Sequence, residues 1–199
     1  MGRERTARGT RGHQTRQSAQ DFFGHGEAIR TSLIRRLPKR TVQALDVGTG
    51  FGRNALFLAH HLSPESHVWS VDPSAASLAQ GIEAVRAAGL LSSVSLGPGA
   101  AERLPFADGY FHLAMAVMLF HHLVAVPPAL REMARVTRRG GKLLFVDWAP
   151  TAHLLPFAVE HRPEDFFTPH AIERMLRDLG LAPKVEHHPM WYLVEARRL

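Results

Sequence analysis

Short apolar runs alternate along this chain with segments of helical spacing, and that alternation constrains the fold more than any other feature. Val42 to Val47, His67 to Val71, Ser92 to Leu96, the almost wholly apolar Phe111 to Met118, and Lys142 to Trp148 read as buried strands. Between them, Gly52 to Leu62, a face built on Leu78, Ile82 and Val85 that ends at Gly89, and a proline-opened segment through Val136 read as helices, the last closed by Gly140-Gly141. Ser18 to Leu37 reads as a helix before the first strand, stopped by Pro38, and Pro169 to Leu179 as one near the end. Strands separated by helices join through right-handed crossovers, which predicts a doubly wound α/β domain in three layers, αβα. Two closing strands, Lys184 to His187 and Trp191 to Arg197, have no room for a helix between them. They should form an antiparallel hairpin at one edge of a seven-stranded, mainly parallel sheet. In such sheets ligands collect beyond the carboxyl ends of the strands, here just after Val47, Val71, Leu96, Met118 and Val146.

Composition narrows the chemistry. With 45% hydrophobic residues over 199 positions the chain can bury a core, so general disorder is excluded. It has no cysteine, which excludes thiolate nucleophiles, zinc–thiolate sites and iron–sulfur clusters. Adjacent histidines point to different sides, and no i, i+4 His pair with a carboxylate occurs, so no metal site is expected. The absence of a secretory leader and of a long apolar run predicts a soluble, cytoplasmic protein without a membrane partner. Charge is uneven: residues 1–40 carry 10 Lys and Arg against 3 Asp and Glu, while residues 41–199 carry 14 against 15. We therefore divide the chain into a basic arm, 1–17, and a folded domain, 18–199. The arm (Arg3, Arg5, Arg8, Arg11 and Arg16 among Gly, Thr and Gln) suits a disordered solubilising tail, and it also leaves contact with nucleic-acid phosphates open.

The most specific segment is Asp46-Val47-Gly48-Thr49-Gly50-Phe51-Gly52, set between a strand and a helix. Glycines there let the backbone bend and approach a ligand closely. Their spacing is i, i+2, i+4, with Arg53 where a dinucleotide fingerprint needs its last glycine, and no GxxxxGK[ST] occurs. Nicotinamide dinucleotide binding is disfavoured and a P-loop nucleotidase excluded. The second strand ends in Asp72, a carboxylate placed to accept both hydroxyls of a ribose, or to cap the helix opening at Pro73.

These motifs resemble those of class I S-adenosylmethionine-dependent methyltransferases of the small, single-domain type, from about Phe22 to Arg197. Gly99-Ala100-Ala101-Glu102-Arg103-Leu104-Pro105-Phe106 is similar to that family's loop after strand three, and Arg138-Arg139-Gly140-Gly141-Lys142 to its turn into strand five. The resemblance implies a Rossmann-like fold and the cofactor S-adenosyl-L-methionine, with S-adenosyl-L-homocysteine as product. It implies that Asp46, Gly48, Thr49 and Gly50 cradle the methionine portion, that Asp72 holds the ribose, and that Pro73 packs near adenine. Ala101, Glu102, the backbone near Ala116, and Met118 complete the implied cofactor site. Three positions depart from the family pattern: Ala100 stands where an Asp accepts from the adenine amino group, His112 replaces an acidic residue, and Arg139 a proline. Ala100 keeps a non-catalytic, partner-activating subunit in view.

Methyl transfer from a sulfonium needs alignment and exclusion of water more than acid–base groups. Met118-Leu119-Phe120-His121-His122 stands where base-directed amino methyltransferases carry a [DN]PPY-like segment, which disfavours that acceptor. His121 and His122 are the candidate proton acceptors. Trp148, Phe157, Phe166 and Phe167 line an acceptor pocket or pack in the core, beside Asp147 and Glu160-His161-Arg162. Phe22, Phe23 and His25 are expected in a lid over the cofactor. The reading is a methyltransferase acting on a small molecule, with an RNA or protein acceptor reached through the arm as the alternative.

Overall fold

The computed structural model describes residues 26–154 and 165–199. The basic arm, the residues Phe22, Phe23 and His25 expected in a lid, and the segment holding Phe157 and Glu160-His161-Arg162 lie outside the described residues. The chain forms two compact units, 1–35 and 36–199. In the first, helix α1 spans Gly26–Ile34 and ends before Pro38 is reached.

The second unit follows the order β1 (Gln43–Val47), α2 (Arg53–His61), β2 (His67–Asp72), α3 (Ala75–Ala87), β3 (Val94–Pro98), β4 (Phe111–Val117), α4 (Val126–Val136), β5 (Thr137–Trp148), α5 (Pro169–Asp178), β6 (Leu181–His187) and β7 (Trp191–Arg198). The seven strands lie in the order β3-β2-β1-β4-β5-β7-β6. All run parallel except β7, which pairs antiparallel with both β5 and β6. The chain winds outward from β1 to β3, then crosses back to β4, so the switch point falls between β1 and β4. The expected three-layer sheet and its closing hairpin are present, with β7 inside the edge and β6 forming it.

Burial explains the strand reading. Leu113, Ala114 and Met115 of β4 and Leu143, Leu144 and Phe145 of β5 are inaccessible, as central parallel strands covered on both faces must be. Helix α4 lays Ala129, Leu130, Met133 and Val136 on that sheet, with prolines in its first turn. The long connection from β3 to β4 is held down by α4: the Leu104 amide donates to Glu132 Oε2 at 2.8 Å, and Arg135 donates to the carbonyls of Leu104 and Phe106.

Two boundaries differ from expectation. Gly140-Gly141 does not close α4, which ends at Val136; the glycines lie within β5, where Phe111 pairs with Thr137 and Leu113 with Lys142. The intervening residues bulge out, and Gly140 takes φ +73° to allow it. Nor does Asp72 cap α3 directly. Ser74 does so by accepting from Ser77, and Asp72 Oδ1 in turn accepts from the Ser74 amide at 2.9 Å. Among the described residues no helix is long and apolar enough to cross a membrane.

Candidate functional site

The glycine bend and Asp72 face each other across the ends of β1 and β2. Gly48, Gly50 and Gly52 adopt φ of +90°, +49° and +79°, left-handed conformations that other residues take with strain. The bend hangs on β2 through the amides of Gly48 and Thr49, both donating to the Val71 carbonyl at 2.8 and 3.0 Å. Its tip reaches Asp72, with Gly50 N donating to Oδ2 at 3.0 Å. A carboxylate has about four acceptor positions. Two are used, by Gly50 and Ser74, and the remaining capacity suits a pair of vicinal hydroxyls. The bend is also pressed against α3, since a Cβ on Gly81 would lie 2.6 Å from Thr49 Cγ2.

Beneath the bend runs a buried polar chain. The Ser70 hydroxyl donates to Asp46 Oδ2 at 2.7 Å, and with its single proton so used it accepts from Thr49 Oγ1, also at 2.7 Å. Asp46 is fully buried and its Oδ1 has no partner among the described residues. Burial, opposed by Ser70 and aided by the Asp72 charge, pushes its carboxyl from the ordinary 3.8 up to about 7. An orphaned acceptor under a glycine bend is the kind of group a bound cation or N–H donor satisfies.

Pairing between β1 and β4 stops at Asp46 and Met115, and the sheet opens there. Ala116 is buried and still paired with Phe145 of β5, while Met118, half-buried, turns the chain with φ +55°. A non-glycine residue in that region signals a constrained position. The turn brings the next residue onto the bend, for Leu119 Cδ1 lies 3.1 Å from where a Cβ on Gly48 would be. Nothing in the sequence marked Met118 for this conformation.

The loop after β3 approaches Asp72 from the other side. Gly99 N donates to the Asp72 carbonyl at 3.3 Å, and Ala100 bridges Arg103. Ala101 is buried, and Pro73, next to Asp72, is exposed. Glu102 is on the wall of a cavity of about 530 Å³ shared with Arg131 and Arg135 of α4, Leu181 and Arg198, where β6 begins and β7 ends. His112 and Arg139 also sit at the starts of their strands, far from the bend. Burial and then the charges of Arg138 and Arg40 lower the His112 pKa. Of the three departures from the family pattern, only Ala100 adjoins the site.

On the β4–β5 side, Phe120–His122 form one 3₁₀ turn, and its two histidines part company. His122 is exposed, whereas His121 is buried with Nδ1 at 2.5 Å from Asp147 Oδ1. The same Asp147 carboxylate accepts from the amides of Phe120 at 2.6 Å and Trp148 at 2.8 Å. Tyr192 stands opposite Asp147 in the β5–β7 register, and its buried hydroxyl has no partner among the described residues. Burial, then the Asp147 charge, raises its pKa well above the ordinary 10. Phe166 stacks parallel to the His121 ring at 5.9 Å, and both Phe166 and Trp148 are buried. His187 ends β6, the outermost strand, so the His187-His188 pair lies at the same end of the sheet but at its edge.

A family model described as a methyltransferase domain matches residues 45–145. The chain is 30% identical over 142 residues to ajmaline N-methyltransferase of Rauvolfia serpentina, an alignment covering 71% of this chain and 45% of that protein. It is 32% identical over 111 residues to the ubiquinone/menaquinone biosynthesis C-methyltransferase UbiE of Neisseria meningitidis, covering 56% and 44%. The chain thus spans less than half the length of these relatives. A SAM-dependent methyltransferase structure from Aquifex aeolicus superposes with a TM-score of 0.74 at 21% identity, over 85% of this chain and 89% of that one.

Proposed function

This chain belongs to the class I S-adenosylmethionine-dependent methyltransferase family, and from that premise we propose that it binds S-adenosylmethionine and transfers its methyl group to a small molecule. The observation that carries the reading is the Gly50–Asp72 contact, which sets a left-handed glycine bend and a ribose-accepting carboxylate side by side. The residues fit the group. Backbone at Gly48, Thr49 and Gly50 faces the methionine portion, with Asp46 offering its spare oxygen below. Asp72 takes the ribose hydroxyls. Pro73 and the Ala101 backbone flank adenine, which loses a charge-assisted hydrogen bond because position 100 is alanine. Backbone at Ala116 and Met118 closes the side facing the acceptor. The bound cofactor supplies a methyl group already activated by its sulfonium, so the chain's own task is to hold donor and acceptor in line and keep water out.

A small-molecule acceptor is supported by the two relatives, named for ajmaline and for ubiquinone/menaquinone biosynthesis. We assign this activity to the domain 18–199 and none of it to the arm 1–17. Titration calorimetry with S-adenosyl-homocysteine tests the reading. Wild-type protein should bind, and Asp72→Ala should bind about 10²–10⁴-fold more weakly, the loss of two hydrogen bonds to a charged group. Equal affinity in the two proteins would remove Asp72 from the ribose and the proposal with it.

A further inference from the structure

We propose that His121, held by Asp147, is the general base that receives the acceptor's proton, so the acceptor is methylated at an O–H or N–H group. This rests on the methyltransferase reading above and deepens it. The observation beneath it is an orientation that no sequence motif displays. Asp147 is the penultimate residue of β5 and His121 lies in the turn after β4, 26 residues away, yet Nδ1 and Oδ1 are 2.5 Å apart. An aspartate accepts, so Nδ1 carries the hydrogen, and in the neutral ring the lone pair then sits on Nε2. The carboxylate is itself fixed by the Phe120 and Trp148 amides, and the ring is stacked on Phe166. Both side chains are almost inaccessible, at 5% and 2% exposure, so the tautomer is set by the fold and not by solvent.

Placement supports the same role. His121 follows Leu119 by two residues, and Leu119 lies against Gly48 of the bend that faces the donor. His122, beside it with ring centroids 4.0 Å apart, is exposed. The titratable groups around the imidazole among the described residues are Asp147 on β5, Tyr192 of β7 opposite that carboxylate, and His122 in the same turn. The Tyr192 hydroxyl, without a partner among the described residues, supplies a further polar group on the same side of the sheet. In the step itself, the acceptor's heteroatom bonds to the methyl carbon as the carbon–sulfur bond breaks, and that bond's electron pair neutralises the sulfonium. The acceptor's proton passes to Nε2. Asp147 touches neither reactant and is a positioning residue.

The first test reads the tautomer directly. Long-range proton–nitrogen NMR of histidine-labelled wild-type protein with S-adenosyl-homocysteine, assigned with His121→Gln, should show His121 protonated on Nδ1 with the lone pair on Nε2. Asp147→Asn should release that preference. An Nε2–H tautomer in the wild type would overturn the proposal without touching cofactor binding, which is measured on the same sample. Failure to bind S-adenosyl-homocysteine would overturn the functional reading and this inference together. The second test follows S-adenosyl-homocysteine formation with catechol, and separately with nicotinamide, whose ring nitrogen needs no deprotonation. With catechol, His121→Gln should lower kcat by about 10²–10⁴-fold near neutral pH, a loss that shrinks as pH approaches the phenol's own pKa. With nicotinamide the loss should be at least about tenfold smaller than with catechol. A loss of equal size on both acceptors, or a catechol pH profile unmoved by the substitution, would make His121 structural only.

Discussion

The two sides of the sheet's carboxyl edge are built on different principles. On the β1–β3 side the site is backbone: three left-handed glycines, amides hung on the Val71 carbonyl, and one carboxylate at a strand end. On the β4–β7 side it is side chains, with His121, Asp147 and Tyr192 drawn from three separate elements and buried together. A backbone cradle tolerates most substitutions except at the glycines and Asp72. A buried polar cluster has no such tolerance, because each member left alone becomes an unsatisfied group. The proposed cofactor half should therefore lose affinity when cut, and the proposed acceptor half should lose stability.

The largest expected effect breaks the acceptor half. Asp147→Ala strands the Nδ1–H of His121 and the amides of Phe120 and Trp148, all of which donate to this carboxylate. Removing one partner of a buried charged network costs about 3–5 kcal/mol, readable as a shift of the urea midpoint. The corresponding cut at Asp72 frees two amides that are only partly buried and should cost about 1–2 kcal/mol in folding. Equal destabilisation by the two substitutions would erase the contrast.

A pH-dependent effect comes from Asp46, the fully buried carboxylate beneath the bend. Below about pH 4 its carboxyl is protonated in folded and unfolded chains alike. As pH rises toward about 7, the unfolded chain releases a proton that the folded chain keeps, so folding weakens across that window and levels off above it. The full swing approaches about 4 kcal/mol at 1.36 kcal/mol per unit, an upper bound. Thermal unfolding across pH should show this decline in the wild type and a flatter profile in Asp46→Asn. A wild-type profile that rises from pH 4 to 7 would mean that Asp46 is ionised and satisfied when folded.

The same contrast decides what was legible in the sequence. The sheet could be read because central strands are covered on both faces, so their apolar runs are continuous. The bend could be read because its glycines and Asp72 lie within one strand–helix–strand unit, where spacing fixes geometry. Asp147 and His121 could each be seen, but their pairing depends on β4 and β5 being neighbours in register, which spacing does not encode. An acidic residue at or next to the carboxyl end of a strand was the available signal, and Asp46, Asp72 and Asp147 all carry it. The turn at Met118 and the bulge holding Gly140 were illegible for a related reason. Each is imposed by the strand beside it, through the Met118 amide on the Val146 carbonyl and the Phe111–Thr137 offset.

The smallest effect concerns the region outside both halves. Residues 1–16 hold five arginines and one glutamate among Gly, Thr and Gln, with no spaced apolar residues to dock on a sheet. A segment of that composition is expected to contribute to folding only through weak, salt-screened attraction between charges. Residues 41–199, at 14 basic against 15 acidic side chains, offer only a near-neutral surface for that attraction. Removing residues 1–16 should leave the unfolding free energy within about 0.5 kcal/mol, the range of ordinary surface changes. Affinity for S-adenosyl-homocysteine should be equally unmoved in calorimetry at low and at high salt. A drop in affinity that disappears at high salt would instead tie the arm's charge to the cofactor half. A drop in melting temperature at both salt concentrations would show that the arm packs, and that the folded domain begins earlier than residue 18.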